Sequence, residues 1–292
     1  MGDVVRGRLS GAIKLLAGVL LAAELSACAG GPGQLADAKP HPGVAKAKRL
    51  PVHGIDVSRY QGKIDWASVR SAGTDFAFIK ATEGGDYIDP RFAENWEGAR
   101  RAGVMRGAYH FVYWCRPGDQ QAEWFRRNVP NEPDALPPVL DVEWNPDSRT
   151  CKGKISKPVA LQMIRTILHA MEQHTGKRPI IYTDINFHRD ILEGELLEYP
   201  HWVRSTAAEP EHRYDNRRWT MWQYTTTGRV PGITGDVDRN AFYGSKDDWA
   251  QFAQVGCDTR FRHCATQIAR ARQGGGTHLA YAAMHDGGAA DE

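Results

Sequence analysis

The sequence carries little excess of either charge: 37 Lys and Arg stand against 35 Asp and Glu, for a formal net charge of +2. Chains that hold nucleic acid usually present a concentrated basic face, so the balance argues against nucleic acid and for a neutral or mixed-charge partner. Only five cysteines occur and no two form a CxxC pair, which removes the commonest zinc-ligand spacing; no metal and no cofactor is expected. No internal repeat is evident, so a repeat array is not the architecture. No apolar run reaches the ~20 residues that a membrane-spanning helix needs.

The longest such run, "LLAGVLLAAELSAC", follows Arg6, Arg8 and Lys14. Residues 1–28 therefore read as a targeting segment that lies outside the fold. The ending Leu25-Ser26-Ala27-Cys28 resembles the lipobox of bacterial lipoproteins. That resemblance implies a lipid on Cys28, attachment to a membrane through it and a place in the bacterial envelope, facing the periplasm. Ala29 rather than Asp after the cysteine leans toward the outer membrane. An ordinary secretory signal cut near Ala27 or Ala29, with Cys28 incidental, is the alternative. Either route exports the protein and permits disulfides. The remaining Cys115, Cys151, Cys257 and Cys264 allow three pairings. Cys115–Cys151 is favoured because each follows a predicted strand at one rim of a sheet, and Cys257–Cys264 because they enclose a short loop.

Residues 29–50 are Gly, Pro, Ala and Lys without apolar period and read as a flexible tether. Residues 256–292 read as a tail with a short disulfide loop, largely disordered after about 273. The folded body, 51–255, is expected to be a monomer, with 9 Trp and 10 Tyr in the whole chain to build its core. Within it "VHGIDVS", "FAFIKAT", "VMRGAYHFVY", "PVLDVEW", "PIIYT", "HWVRS", "MWQY" and "DVDRNAF" read as strands. Helical patterns in "DPRFAENWEGARRAG", "PGDQQAEWFRRNV" and "PVALQMIRTILHAMEQHTG" alternate with them. The alternation predicts an α/β fold: a modified (β/α) barrel of about eight mostly parallel strands with fewer than eight helices, since helical segments thin out after residue 194.

In "LDVEW", Asp141 and Glu143 are two apart on a strand and share one face, with Val142 on the other. Catalytic groups of parallel barrels lie at the carboxyl ends of strands, and other strands end in comparable chemistry: Asp56, Tyr109 and His110, Tyr182, Trp222 and Tyr224, and Asp238. Crowded carboxyls raise one another's pKa and keep one proton available near neutral pH, which suits glycosidic cleavage, and rings offer flat platforms for sugars. A divalent-cation site is the competing use of such carboxylates. Blander readings accompany each residue. Asp56 could cap a turn, Asp236 could be the inward acid in place of Asp238, and Tyr109, Tyr182 and Trp222 could be core aromatics. His110 reads as a buried, hydrogen-bonded histidine, and Lys80 and Glu83 as a structural ion pair or as the border of a groove. Met163 and Met171 read as packing residues.

The segments "GIDVSRYQGKIDW", "FAFIKATEGGDYIDPRFAENWEGARRAGVMRGAYHF", "LDVEW" and "WQYTTTGRVPGITGDVDRNAF" resemble, in order, those of the glycoside hydrolase family 25 lysozymes, from about His53 to Trp249. The resemblance implies hydrolysis of the β-1,4 bond between N-acetylmuramic acid and N-acetylglucosamine, with the glycan strands of peptidoglycan as the partner. It implies Glu143 as general acid, Asp141 as the group that orients and polarises the substrate's acetamide, and retention through an oxazolinium-like intermediate. Asp56 and Asp238 would shape the charge of the pocket and hold substrate or water, and Tyr60, Tyr109, Tyr182 and Trp222 would contact sugars. A silent peptidoglycan-binding lipoprotein and a hydrolase of another N-acetylated glycan such as chitin are the alternatives. The chain departs from the family in "HWVRSTAAEPEHRYDNRRW", where relatives often show Trp-Val-Ala followed by aromatic sugar contacts.

Overall fold

The computed structural model describes residues 43–215, 217–258 and 260. In chain order these form α1 (Gly43–Ala47), β1 (His53–Val57), α2 (Trp66–Ser71), β2 (Phe76–Glu83), β3 (Tyr87–Ile88), α3 (Phe92–Arg101), β4 (Met105–Phe111), α4 (Gly118–Asn128), β5 (Val139–Val142), α5 (Lys157–Thr175), β6 (Ile180–Thr183), α6 (Ile185–Phe187), β7 (His201–Arg204), β8 (Met221–Gly228), β9 (Val237–Phe242) and α7 (Lys246–Val255). The strands run β1-β9-β8-β7-β6-β5-β4-β2, and β1 pairs with β2 to close the barrel. Only β9 runs antiparallel to its barrel neighbours β1 and β8, and β3 is a short hairpin partner of β2 outside the ring. The predicted barrel of eight mostly parallel strands is the observed one, with seven helices among the described residues.

Local chemistry sets the boundaries. Asp65 accepts the amides of Ala67 and Ser68 and starts α2. Gly176, at φ 70°, ends α5 in the left-handed conformation that a side chain resists. Ser245 and Asp248 form a reciprocal capping box at the head of α7. The interior follows from the two-residue period of strands. Phe76 and Phe78 of β2, Val139, Ile180, Trp202 and Met221 fill it, and Trp249 and Phe252 of α7 plug its amino-terminal end together with Phe242. Outside, Val57, Ile79, Leu140, Val142 and Ile181 pack against α2 to α5.

Beyond residue 194 no long helix covers the barrel until α7, and the chain covers that flank from its other end. Ala47 is fully buried, and Val44 and Leu50 pack with Val203, Tyr214, Trp222 and Tyr224. Lys46 pairs with Glu209 (2.6 Å) and Glu211 (3.3 Å). The expected tether through residue 50 is thus too long: residues 43–50 belong to the folded body. Three apolar residues at spacing three were concealed by the Lys-rich composition. Cys115 and Cys151 form a disulfide with Cα atoms 5.5 Å apart, as expected. Cys257 is buried and disulfide-bonded, while Cys28, Cys264 and most of the predicted tail lie outside the described residues.

Candidate active site

At the carboxyl ends of the strands the inward residues turn from apolar to ionisable. Asp56 follows Gly54 on β1, Lys80 follows Phe78 on β2, Tyr109 sits on β4, and Asp141 and Glu143 continue β5. Tyr182 and then Asp184 end β6, Arg204 ends β7, Gln223 lies on β8, and Asp238 and Asn240 lie on β9. All four acids named from sequence therefore meet around one mouth. β9 brings Asp238 beside Asp56, their Cα atoms in register.

Asp56 Oδ2 accepts from Gln223 Nε2 at 3.0 Å and from Asn240 Nδ2 at 2.8 Å. Burial pushes its pKa up, and these two amides pull the other way. Burial first and the Asp56 charge second hold Asp238 well above the carboxylate range. The pair is asymmetric: Asp56 has the amide donors that stabilise an anion, so Asp238 keeps the proton. Asp238 Oδ1 is buried without a partner.

The second pair is Asp141 and Glu143. Asp141 is 8% exposed, and its Oδ1 has no hydrogen-bond partner. Burial, then the Glu143 charge, raises Asp141 well above its ordinary value. Glu143 is pushed up to about 8 by burial and by Asp184, with Arg204 and Lys80 opposing. A carboxylic acid of this kind is protonated at neutral pH and can donate. The Glu143 backbone is held by Trp114, whose Nε1 donates to its carbonyl at 2.8 Å. Trp114 stacks on Phe187, and the Cys115–Cys151 bridge begins at the next residue.

The aromatic residues divide. Tyr182 donates from its hydroxyl to Gln223 Oε1 at 3.0 Å and lies edge-on to Trp202. Tyr109 packs on the interior cluster, and burial and the Asp56 and Asp141 charges raise its pKa. Tyr60 stands at the rim, 61% exposed, under the Arg59 guanidinium. Trp222 is a correction. It belongs to the outer cluster with α1, and its Nε1 donates to Ser205 O at 2.7 Å. The inward residue of that strand is Gln223. Tyr224 also packs in the outer cluster.

Other expectations resolve cleanly. Asp236 is paired outward with Arg229 at 3.0 Å, which leaves Asp238 as the inward acid. His110 is buried, its Nδ1 bonded to Thr82 Oγ1 at 2.8 Å, and burial lowers its pKa to about 4. Lys80 and Glu83 form an ion pair at 2.5 Å that borders the site. Met171 is buried in the outer cluster and Met163 packs against that cluster. Sequence reading missed Gln223, Asn240, Asp184 and Arg204. Gln223 and Arg204 leave the signal of a polar group among buried strand residues, whereas Asp184 follows its strand and Asn240 shares its strand with Asp238 and Arg239. Among the described residues no group of three or more His, Cys, Asp or Glu is arranged to hold a metal ion.

Comparison with known proteins follows the same geometry. Residues 55–233 match the family described as Glycosyl hydrolases family 25. The chain is 41% identical over 205 residues to Lysozyme M1 of Streptomyces globisporus, covering 66% of this chain and 68% of that protein. The structure of a family 25 glycosyl hydrolase from Bacillus anthracis superposes with a TM-score of 0.65 at 34% identity, over 70% of this chain and 94% of the other. A bacterial lysozyme from Streptomyces coelicolor superposes with a TM-score of 0.63 at 39% identity, over 70% and 97%.

Proposed function

Because the chain belongs to glycosyl hydrolase family 25, we propose that it is a lysozyme that cleaves the β-1,4 bond between N-acetylmuramic acid and N-acetylglucosamine in peptidoglycan. The observation that carries the mechanism is the protonated Glu143, pushed up to about 8, beside Asp141 with an unpartnered Oδ1. Glu143 gives its proton to the glycosidic oxygen as the bond to the anomeric carbon breaks. Asp141 Oδ1 takes the N–H of the muramic acid acetamide and turns the acetamide oxygen onto that carbon, giving an oxazolinium. Water then attacks the same carbon, Glu143 takes its proton, and the ring opens with retention. Asp56, anionic between two amide donors, and Asp238, its protonated neighbour, supply a mixed acceptor and donor wall for sugar hydroxyls or the attacking water. Tyr109 and Tyr182 border the saccharide, with Tyr60 at the rim.

The site needs no metal or cofactor for these steps. The protein acts in the cell envelope as a monomer, tethered through a lipid on Cys28. Among the described residues no helix is long and apolar enough to cross a membrane. Mass spectrometry of fragments released from purified peptidoglycan tests the reading: products should end in reducing muramic acid, and Glu143→Gln should release essentially none. Reducing N-acetylglucosamine ends, or binding to the wall without release by the wild type, would refute it.

A further inference from the structure

The cavity that gathers the carboxyls also receives a guanidinium. On β7, Val203 faces the outer cluster and Trp202 faces inward, its Nε1 donating to Asn240 Oδ1 at 2.9 Å. Arg204 is two residues beyond Trp202, so its side chain follows the same face one layer closer to the mouth. It is 9% exposed. Its Cα partner across the sheet is Gln223, the donor to Asp56. Its carbonyl accepts from the Tyr214 hydroxyl, which fixes the strand end.

We infer that Arg204 is a positioning residue for the reaction, its guanidinium serving as the countercharge between the Asp56–Asp238 pair and Glu143. The charged and titratable groups that share this mouth are Asp56 on β1, Lys80 on β2, Tyr109 on β4, Asp141 and Glu143 at the end of β5, Tyr182 and Asp184 at the end of β6, and Asp238 on β9. Lys80 is matched by Glu83 at 2.5 Å and lies over the Phe111 ring. Arg204 opposes the upward shifts of Asp56, Glu143, Tyr182 and Asp238 together. A buried cation near several carboxyls favours the ionised form of each. It therefore supports the anion at Asp56 and limits how far Glu143 rises.

The inference rests on the lysozyme reading for its kinetic consequence, and the sign of that consequence is fixed. Removing the cation raises both the group that must be ionised and the group that must be protonated, so both limbs of the pH–rate bell move to higher pH. Wall clearing by full-length wild type, Arg204→Gln and Arg204→Lys should be followed from pH 4 to pH 9. The Gln variant should shift both limbs upward by about one pH unit, a roughly tenfold loss on the acid limb, and the Lys variant should stay near the wild-type profile. A uniform loss at every pH, or a Lys variant shifted as far as Gln, would overturn it. The second readout does not depend on turnover. The carbon-13 carboxyl titration of Glu143, identified by its absence in Glu143→Gln, should move upward in Arg204→Gln and return in Arg204→Lys. An unmoved midpoint would overturn the inference even in an active enzyme. An upward shift in a protein that clears no wall would uphold it while the lysozyme reading fell.

Discussion

The two ends of the barrel handle buried charge in opposite ways. At the amino-terminal end, Lys177 Nζ donates to Pro133 O at 2.9 Å, to Ala253 O at 3.2 Å and to Ala135 O. Arg106, the second residue of β4, pairs through its terminal nitrogens with Glu132 and, at 2.9 Å, with Asp134, and lies over the Trp96 ring, with its Nε left without a partner. At the carboxyl-terminal end, Asp141 and Asp238 each leave a buried oxygen without a partner, and four carboxyls crowd one mouth with raised pKa values. Partnered ions hold a structure together, because stranding either partner is costly. Unpartnered acids do the reverse, and their persistence marks a place where a ligand supplies what the protein withholds.

The comparison breaks most sharply if the same kind of substitution has the same effect at both ends. Glu143→Gln should lose about 10³-fold in wall-clearing rate, measured on purified peptidoglycan under conditions where both proteins are folded. Lys177→Met at the opposite end should leave the clearing rate within about twofold at low temperature. It strands buried carbonyls, costs about 2–3 kcal/mol, and should lower the melting temperature by about 6 °C in a domain of this size.

A third expectation runs in the other direction. Glu143 has a folded-state pKa of about 8 against an ordinary 4.5. The folded state therefore keeps a proton that the unfolded chain has lost, and stability falls as pH rises from 4.5 through 8. Glu143→Gln removes that penalty. It should melt higher than wild type at pH 8, with the gain vanishing near pH 4. Differential scanning calorimetry at the two pH values decides it, and a destabilised Gln variant at pH 8 would place the acid in a favourable rather than a strained setting. The buried histidines have the opposite linkage. His110 and His188 are each lowered to about 4, so their contribution is lost as pH falls from about 6.5 through 4, opposing the gain from Glu143 over the same interval.

The smallest effect is expected at the rim. Tyr60→Ala, at a residue 61% exposed, should raise KM by less than about threefold and leave the melting temperature unchanged. A loss in kcat exceeding tenfold would move Tyr60 from the rim into the site.

The acids were legible because acidity at the carboxyl end of a strand is unusual chemistry in a usual place. Asp141 and Glu143 announce a shared face by spacing alone, and Asp238 is separated from Asp236 only by the register of β9 against β1. Trp222 was misplaced for a physical reason: β8 begins with four consecutive buried residues. A strand covered on both faces loses the polar alternation that tells inside from outside. The same loss hid Gln223 and, on the fully buried β7, Arg204. Residues 43–50 were hidden differently, by lysines whose charges reach solvent or Glu209 while Val44, Ala47 and Leu50 pack inward. The barrel itself was readable because its strands and helices alternate over most of the chain.

The most direct test of the central claim is the titration of a single carboxyl. Carbon-13 spectra of the wild-type protein, with the Glu143 signal assigned by its loss in Glu143→Gln, should give a midpoint near 8. A midpoint near the ordinary 4.5 would mean that Glu143 is anionic at neutral pH, with no proton to give the departing sugar.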